Sequence, residues 1–345
     1  MRNILWRMLR ALFFLRDAES AHHSMLRLIR HLHRKAPALL RVTSGVPVGG
    51  MVAESSCPVV FGMPFLSRVG LAAGFDKNSE IVSALPDLGF GFAEIGTVTP
   101  RPQPGNEPPR LFRDVRAHTL FNRMGFNNSG AEYIAGNLKL ARAELPSFFR
   151  VGVNVGKNRD TPAEQAADDY AKAAKAFVGL ADFFVINVSS PNTPGLRLLQ
   201  TEDALKAILS SVLEATASAP APVLVKLAPE LGGEDLQRAL VAGDAAGASG
   251  WVLTNTLAGS WAQTGAIGGS SGSVLTQIAR ARLVEARQMT ARPIISVGGI
   301  MNEEEAALRR KLGADLVQVY SGWVFGGPAL PMRLSKAIQE LQIRR

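Results

Sequence analysis

The stretch FFVINVSSPNTPG, residues 183–195, decides the fold. Four apolar residues, Phe183 to Ile186, read as a buried strand, and they run straight into asparagines, serines, prolines and a glycine. Turn chemistry accounts for that ending locally, because Asn, Ser, Pro and Gly are turn residues. It does not account for the recurrence of such endings. Strand-like runs are expected at Val69–Ala73, Phe92–Val98, Val151–Val155, Phe183–Asn187, Val223–Leu227, Gly250–Thr254, Pro293–Val297 and Leu316–Tyr320. Helical patterns lie between them, as in Thr161–Leu180, Thr201–Ala217 and Asn302–Leu312, and the two that open on Thr begin with a good capping residue. Eight β/α units over roughly 270 residues is the count and size of a (β/α)8 TIM barrel. One insertion is expected after the second strand, where RLFRDVRAHTLFNRMGFNN (residues 110–128) reads as a hairpin.

Barrels of this type gather their chemistry at the C-terminal ends of the strands. Those ends read AAGFDKN, EIGTVTP, VNVGKN, INVSSPN, VKLAPE, LTNT, SVGGI and VYSG. They hold lysines, amides, hydroxyls and glycines, with no conspicuous carboxylate pair, no His/Cys/Asp cluster and no Ser-His-Asp set. Such a pocket suits a bound organic cofactor and a planar anionic substrate better than a hydrolase or a metal site. SVGGI before a helix, followed by VYSG, suits the phosphate site that barrels build after strands 7 and 8. GVNVGKN resembles a Walker loop but is one residue short and lacks the following Ser/Thr. GGSSG lacks dinucleotide spacing.

The 345 residues, 47% hydrophobic and 19% charged, supply a large core. The single cysteine, Cys57, excludes a disulfide framework and points to a reducing compartment. The net charge of +9 is unevenly spread: residues 1–41 carry nine Lys/Arg against two Asp/Glu, and the rest carries 29 against 27. A near-neutral body without RNA-binding aromatics or zinc spacing argues against nucleic acid as a partner. The basic segment MRNILWRMLRALFFLRD reads as an amphipathic helix. Ile4, Leu5, Trp6, Met8, Leu9, Leu12, Phe13 and Leu15 share one face, Arg7 and Arg10 the other, and Phe14 and Arg16 break the pattern. A second helix follows, with Asp17 or Ser20 as cap and Pro37 as its end. The longest apolar run of the first, Ala11 to Leu15, is far too short for the pair to span a bilayer. It suits either a membrane interface or packing on the body, and periodicity alone does not choose between them. His22, His23, His31 and His33 read as surface charges.

Several of the motifs already quoted, with NRMGFNN (122–128), GVNVGKNRDTP (152–162), NVSSPNTPGLR (187–197), VKLAPEL (225–231) and VQVYSG (317–322), resemble those of the dihydroorotate dehydrogenases. The membrane-associated, quinone-dependent class 2 is the nearest. The resemblance runs through the whole chain and sets the division into residues 1–41, a helical segment for membrane contact and quinone access, and residues 42–345, an FMN-binding barrel. It implies oxidation of dihydroorotate to orotate in pyrimidine synthesis, with electrons passing through FMN to a ubiquinone-type acceptor. It also implies a peripheral protein at the cytoplasmic face of a bacterial inner membrane, and no metal. A cytosolic class 1 relative would carry Cys as base, where Ser190 stands here; a membrane-binding protein with a chemically silent barrel would lack the flavin.

By the same resemblance Ser190 is the base. Lys77 pairs with the substrate carboxylate, and Asn122, Arg123, Met124, Gly125 and Phe126 form one wall of its site. Asn187, Asn192, Asn255 and Thr256 bond the ring edge. The backbone of Ala73, Gly74, Phe75, Asp76 and Lys77 lines FMN, Thr97, Asn154 and Asn187 contact it, and Lys226 stands beside flavin N1 and C2=O. Thr254, Gly272, Gly299, Tyr320 and Ser321 hold its ribityl-phosphate end. TNTLAGSWAQTGAIGGSSG (residues 254–272) departs from the family, with Leu257 for a threonine and a shortened loop.

Overall fold

The computed structural model describes residues 2–47, 49–51, 57–193 and 195–343. Three helices open the chain, α1 (Arg2–Phe14), α2 (Ala18–Lys35) and α3 (Pro37–Ser44), followed by a short hairpin of β1 (Val59–Val60) and β2 (Met63–Pro64). Next come β3 (Val69–Leu71), β4 (Phe92–Val98), the insertion β5 (Leu111–Asp114) and β6 (Thr119–Asn122), and α4 (Ala131–Arg142). The middle of the chain alternates β7 (Arg150–Val155), α5 (Ala166–Lys175), β8 (Phe183–Asn187), α6 (Glu202–Ala215), β9 (Val223–Leu227) and α7 (Gly233–Ala245). After β10 (Gly250–Leu253) a second hairpin, β11 (Leu257–Ser260) and β12 (Ile267–Gly272), precedes α8 (Thr276–Met289). The last elements are β13 (Ile294–Val297), α9 (Glu303–Lys311), β14 (Leu316–Val319), α10 (Ser321–Gly326) and α11 (Leu330–Ile343).

Strands β3, β4, β7, β8, β9, β10, β13 and β14 pair in parallel and in that order, and β14 closes on β3. These are the eight strands expected from the sequence, matched within about two residues at their ends. The expected hairpin is also present, with Leu111 opposite Asn122. It belongs to a larger sheet, however: β12 pairs with β6, making a four-stranded cap in the order β11-β12-β6-β5. The helix expected from Thr161 starts as a short 3-10 turn at Ala163 and becomes α5 only at Ala166. The Thr161 hydroxyl donates to Asp169, 2.6 Å away, instead of capping. Thr201 does occupy the cap position of α6, without a side-chain cap bond.

The barrel interior is layered. Its lower layer is aromatic: Phe65, just after β2, sits with its ring centroid 5.4 Å from Phe92 and 6.3 Å from Phe183. All three are fully buried, each worth about 1.5–3 kcal/mol of transfer free energy. The rings fit because two strand positions are glycine. A Cβ on Gly70 would stand 2.4 Å from the Phe92 ring, and one on Gly152 would stand 2.1 Å from Phe183. One turn of the pleat higher, the inward residues become polar: Glu94, Asn154, Asn187, Lys226 and Gln318, all buried. That change of character marks the floor of the site.

The N-terminal helices pack on the barrel, with Ala21, Leu26 and Ile29 buried. Asp17 caps α2 by accepting from the Ser20 N–H, and the helix ends at Lys35, just before Pro37, both as expected; Pro37 also opens α3. Two expectations fail here for one reason: contacts with the barrel decide which side of each helix is covered. Phe14 is not a break in the pattern; it stacks edge-on to Phe325 at 5.7 Å and lies under the Arg113 guanidinium at 4.0 Å. Leu12 and Leu15 face outward instead, and Arg10 donates to the Phe325 carbonyl at 2.8 Å. The histidines divide likewise. His33 lies between Asp87 (2.9 Å) and Glu144 (3.1 Å), and His22 stacks edge-on to Phe75 at 4.7 Å, so neither is a surface charge.

Candidate active site

The polar floor converges on one carboxylate. Glu94, in the middle of the apolar strand FAEIGTV, accepts from Asn154 Nδ2 at 2.6 Å, Lys226 Nζ at 3.2 Å and Gln318 Nε2 at 2.8 Å. Lys226 thus has the anionic partner that its buried position requires. Thr97 Oγ1 donates to Asn154 Oδ1 at 2.5 Å and accepts from Asn187 Nδ2 at 2.9 Å, so the floor runs without a gap into the next wall.

That wall is built of amides and hydroxyls at the ends of β8 and β10. Asn255 Nδ2 donates to Asn187 Oδ1 at 3.1 Å and to Ser189 Oγ at 3.0 Å. Ser190 is buried beside them and accepts from the Asn192 N–H at 3.2 Å. The four-stranded cap supplies the opposite wall: Asn192 Nδ2 donates to Asn122 Oδ1 at 2.8 Å, and Asn122 Nδ2 donates to the Gly269 carbonyl at 3.2 Å. Two buried acceptors on this lining, Asn192 Oδ1 and Gln318 Oε1, have no hydrogen-bond partner among the described residues. Both mark places where a ligand N–H fits.

Glycine shapes the far end of the cavity. Gly272, Gly298 and Gly299 line it at φ 94°, 101° and 72°, a region that favours glycine. A Cβ on Gly272 would stand 2.2 Å from the His118 carbonyl, and one on Gly299 would stand 2.4 Å from the Thr276 nitrogen that begins α8. Ser321 and Ser271 hydroxyls meet at 2.8 Å across the same end.

Lys77 lies on the wall, half-buried, and no described residue hydrogen-bonds its ammonium. Burial lowers its pKa to about 8, against the opposing pull of Glu19. Asp76, its neighbour, is turned away: its carboxylate accepts the Glu80 and Ile81 N–H groups at 2.7 and 2.9 Å. Burial nevertheless raises it to about 6.

The cavity opens to solvent, and a second chamber adjoins it under α1 and α2. The second is almost wholly apolar, lined by Trp6, Leu9, Phe13, Phe14, Met25 and Leu40 among others, with Arg113 at its side. His22, Leu111, Leu120 and Tyr320 line both chambers. His22 is pushed down to about pKa 3 by burial and by Lys77, and burial raises the Tyr320 phenol. The partition between the chambers therefore carries no charge at neutral pH. No helix among the described residues is long and apolar enough to cross a membrane.

The polar cavity gathers Ala73, Gly74, Lys77, Thr97, Asn122, Met124, Gly125, Phe126, Asn187, Ser190, Asn192, Lys226, Thr254, Asn255, Thr256, Gly272, Gly299, Tyr320 and Ser321. Four expected residues stand elsewhere. Asn154 belongs to the floor but not to the cavity lining, the Phe75 side chain lines the apolar chamber, the Asp76 carboxylate turns to the Glu80 and Ile81 N–H groups, and Arg123 is outside both linings. Sequence reasoning missed Glu94, Gln318, Ser271, Gly298 and His22. For Glu94 a signal existed, an ionisable residue inside an apolar strand. For His22 there was none, since only the docking of α2 turns it inward.

Comparison with known proteins gives one family throughout. The dihydroorotate dehydrogenase family model matches residues 56–342. The dihydroorotate dehydrogenase (quinone) of Anaeromyxobacter dehalogenans (strain 2CP-C) is 43% identical over 98% of this chain and 93% of its own length. That of Deinococcus deserti is 41% identical over 97% and 94%. Among solved structures, the Eimeria tenella enzyme in complex with ferulenol superposes with a TM-score of 0.83 at 29% identity, covering 95% of this chain and 92% of that one.

Proposed function

The chain belongs to the dihydroorotate dehydrogenase family, and from that premise we propose how its residues carry out the reaction. It is an oxidoreductase that converts dihydroorotate to orotate with a quinone as acceptor, a step of pyrimidine synthesis. The observation that carries this reading is the pair of chambers, one polar and one apolar, meeting at an uncharged partition. A polar substrate and a lipid-borne acceptor would each find a matching entrance, with the cofactor between them.

The family is flavin-dependent, and we propose FMN. The lining fits it: unpartnered Gln318 Oε1 and Asn192 Oδ1 offer acceptors to heterocyclic N–H groups, and the glycine-rich end at the start of α8 suits a phosphate. Bound FMN would supply a two-electron acceptor that takes hydride from substrate C6 and later yields electrons to the quinone. Lys226 would stabilise charge developing on the N1–C2=O side. Thr97 and Asn187 would contact the ring, and Gly272, Gly299, Tyr320 and Ser321, with Thr254 nearby, the ribityl-phosphate end.

Substrate binding falls to Lys77, whose ammonium is free to meet a carboxylate. Asn122, Asn187, Asn192 and Asn255, with Thr256, would read the ring edge by donating and accepting in alternation. Ser190 would take the C5 proton. Its own hydroxyl proton would have to leave into a relay as the C5 proton is taken, and the Asn192 N–H on Oγ favours the negative charge that builds there as the hydroxyl proton departs. Residues 1–41 would place the apolar chamber against the lipid and admit the quinone there, at the cytoplasmic face of a bacterial inner membrane. The purified protein should be yellow, and adding dihydroorotate without an acceptor should bleach the flavin bands. A colourless preparation that binds no added FMN would refute the reading.

A further inference from the structure

Glu94 has no part in the roles above, and its placement is costly. Its carboxylate is fully buried between the aromatic layer and the cavity floor. An apolar side chain would pack there at less desolvation cost, yet donors from three strands converge on it: Asn154 from β7, Lys226 from β9 and Gln318 from β14. Two of these, Lys226 and Gln318, also line the cavity. The carboxylate therefore governs what two lining groups present to a ligand. A carboxylate only accepts, so the Gln318 NH2 must face Glu94, leaving its unpartnered Oε1 toward the ligand. The Lys226 ammonium, 3.2 Å from Glu94, meets the ligand as one end of an ion pair and not as a bare cation.

Resting on the flavin reading above, we infer that Glu94 is a positioning residue that holds down the reduction potential of the bound flavin by neutralising Lys226. The couple takes two electrons and one proton, so the reduced ring carries one more negative charge than the oxidised ring. A bare lysine beside it would favour the reduced form. The ion pair moderates that pull, which leaves the reduced cofactor able to pass electrons on to a quinone.

The test is a spectroelectrochemical titration of the flavin-loaded full chain. Glu94→Gln should shift the reduced-to-oxidised ratio at a fixed potential at least tenfold toward reduced, about 30 mV for a two-electron couple. Glu94→Asp keeps the charge but withdraws it by one methylene, and should shift the same way by less. Adding Lys226→Met to Glu94→Gln should cancel most of the shift. An unchanged or more negative potential in Glu94→Gln would overturn the inference, as would a shift that survives removal of the lysine. Loss of flavin from both single variants would also overturn it, by making Glu94 a support of the fold alone. A wild-type chain without flavin would refute the functional reading instead, so the two failures are distinct.

Discussion

At the scale of single residues, Ser190 and Lys77 make separable demands. Ser190→Ala should retain flavin while reduction by dihydroorotate slows by about 10²- to 10⁴-fold, the usual contribution of a positioned base. Stopped-flow measurement checks it, and a wild-type rate would remove Ser190 from the mechanism. Burial lowers the Lys77 pKa to about 8, well below an ordinary lysine. Only the protonated form attracts a carboxylate, so orotate affinity in the wild type should fall as pH rises through about 8. In Lys77→Ala affinity should be weaker at pH 7 and nearly flat over that range; equal pH profiles would contradict the pairing. The cavity lining was legible where a motif stood at a strand end. Glu94 was not, because its meaning depends on Lys226, 132 residues away in sequence. The lysine announced the need for an anion without saying which residue met it.

Among elements, the attachment of α2 to the barrel titrates. The Asp87 hydrogen bond raises the His33 pKa, burial opposes it, and Glu144 adds to the rise. Stability from the charged imidazole is therefore full below the unfolded value near 6.5 and lost as pH climbs through the higher folded value. Asp87 works in the opposite sense. Burial pushes it up, but hydrogen bonds from His33 and Arg41 outweigh that and hold it low, so its share is present above the ordinary carboxylate range and lost on acidification. The thermal midpoint should fall between pH 6 and pH 8.5 by more in the wild type than in His33→Gln; identical slopes would show that this contact carries no stability. The barrel strands were readable because each apolar run ends in polar turn residues. The β11–β12 hairpin was not, since IGGSSG holds a single strand former, Ile267, among glycines and serines. Its small residues are needed for close approach: a Cβ on Gly268 would stand 2.4 Å from the Asn122 carbonyl and one on Gly269 would stand 2.1 Å from Thr256. Likewise the two histidines misread as surface charges, and Phe14, could be placed only once the helices met the barrel.

Over the whole molecule, charge and apolar exposure coincide at one end. Residues 1–41 hold most of the net charge, and Leu12, Leu28 and Leu39 of the first three helices are exposed, as is Leu15 just after α1. Binding to anionic vesicles should exceed binding to neutral ones, and salt should remove the difference but not the remainder due to apolar burial. Leu12→Glu with Leu15→Glu should weaken both; undiminished flotation with such vesicles would place the membrane contact elsewhere. Deleting residues 1–41 is a poorer probe, because it cuts through α3 and also takes away Glu19, which binds Arg110 at 2.8 Å, and His22, which lines both chambers. The central claim is that substrate and quinone reach one flavin from opposite chambers. Ala21 is buried and lines only the apolar one, so Ala21→Phe narrows that chamber at a cost of about 1–3 kcal/mol in overpacking. Stopped-flow of the two half-reactions in this variant is the most direct measurement. Reduction by dihydroorotate should keep its wild-type rate while reoxidation by a long-tailed quinone slows at least tenfold, and equal slowing of both halves, or of neither, would contradict the account.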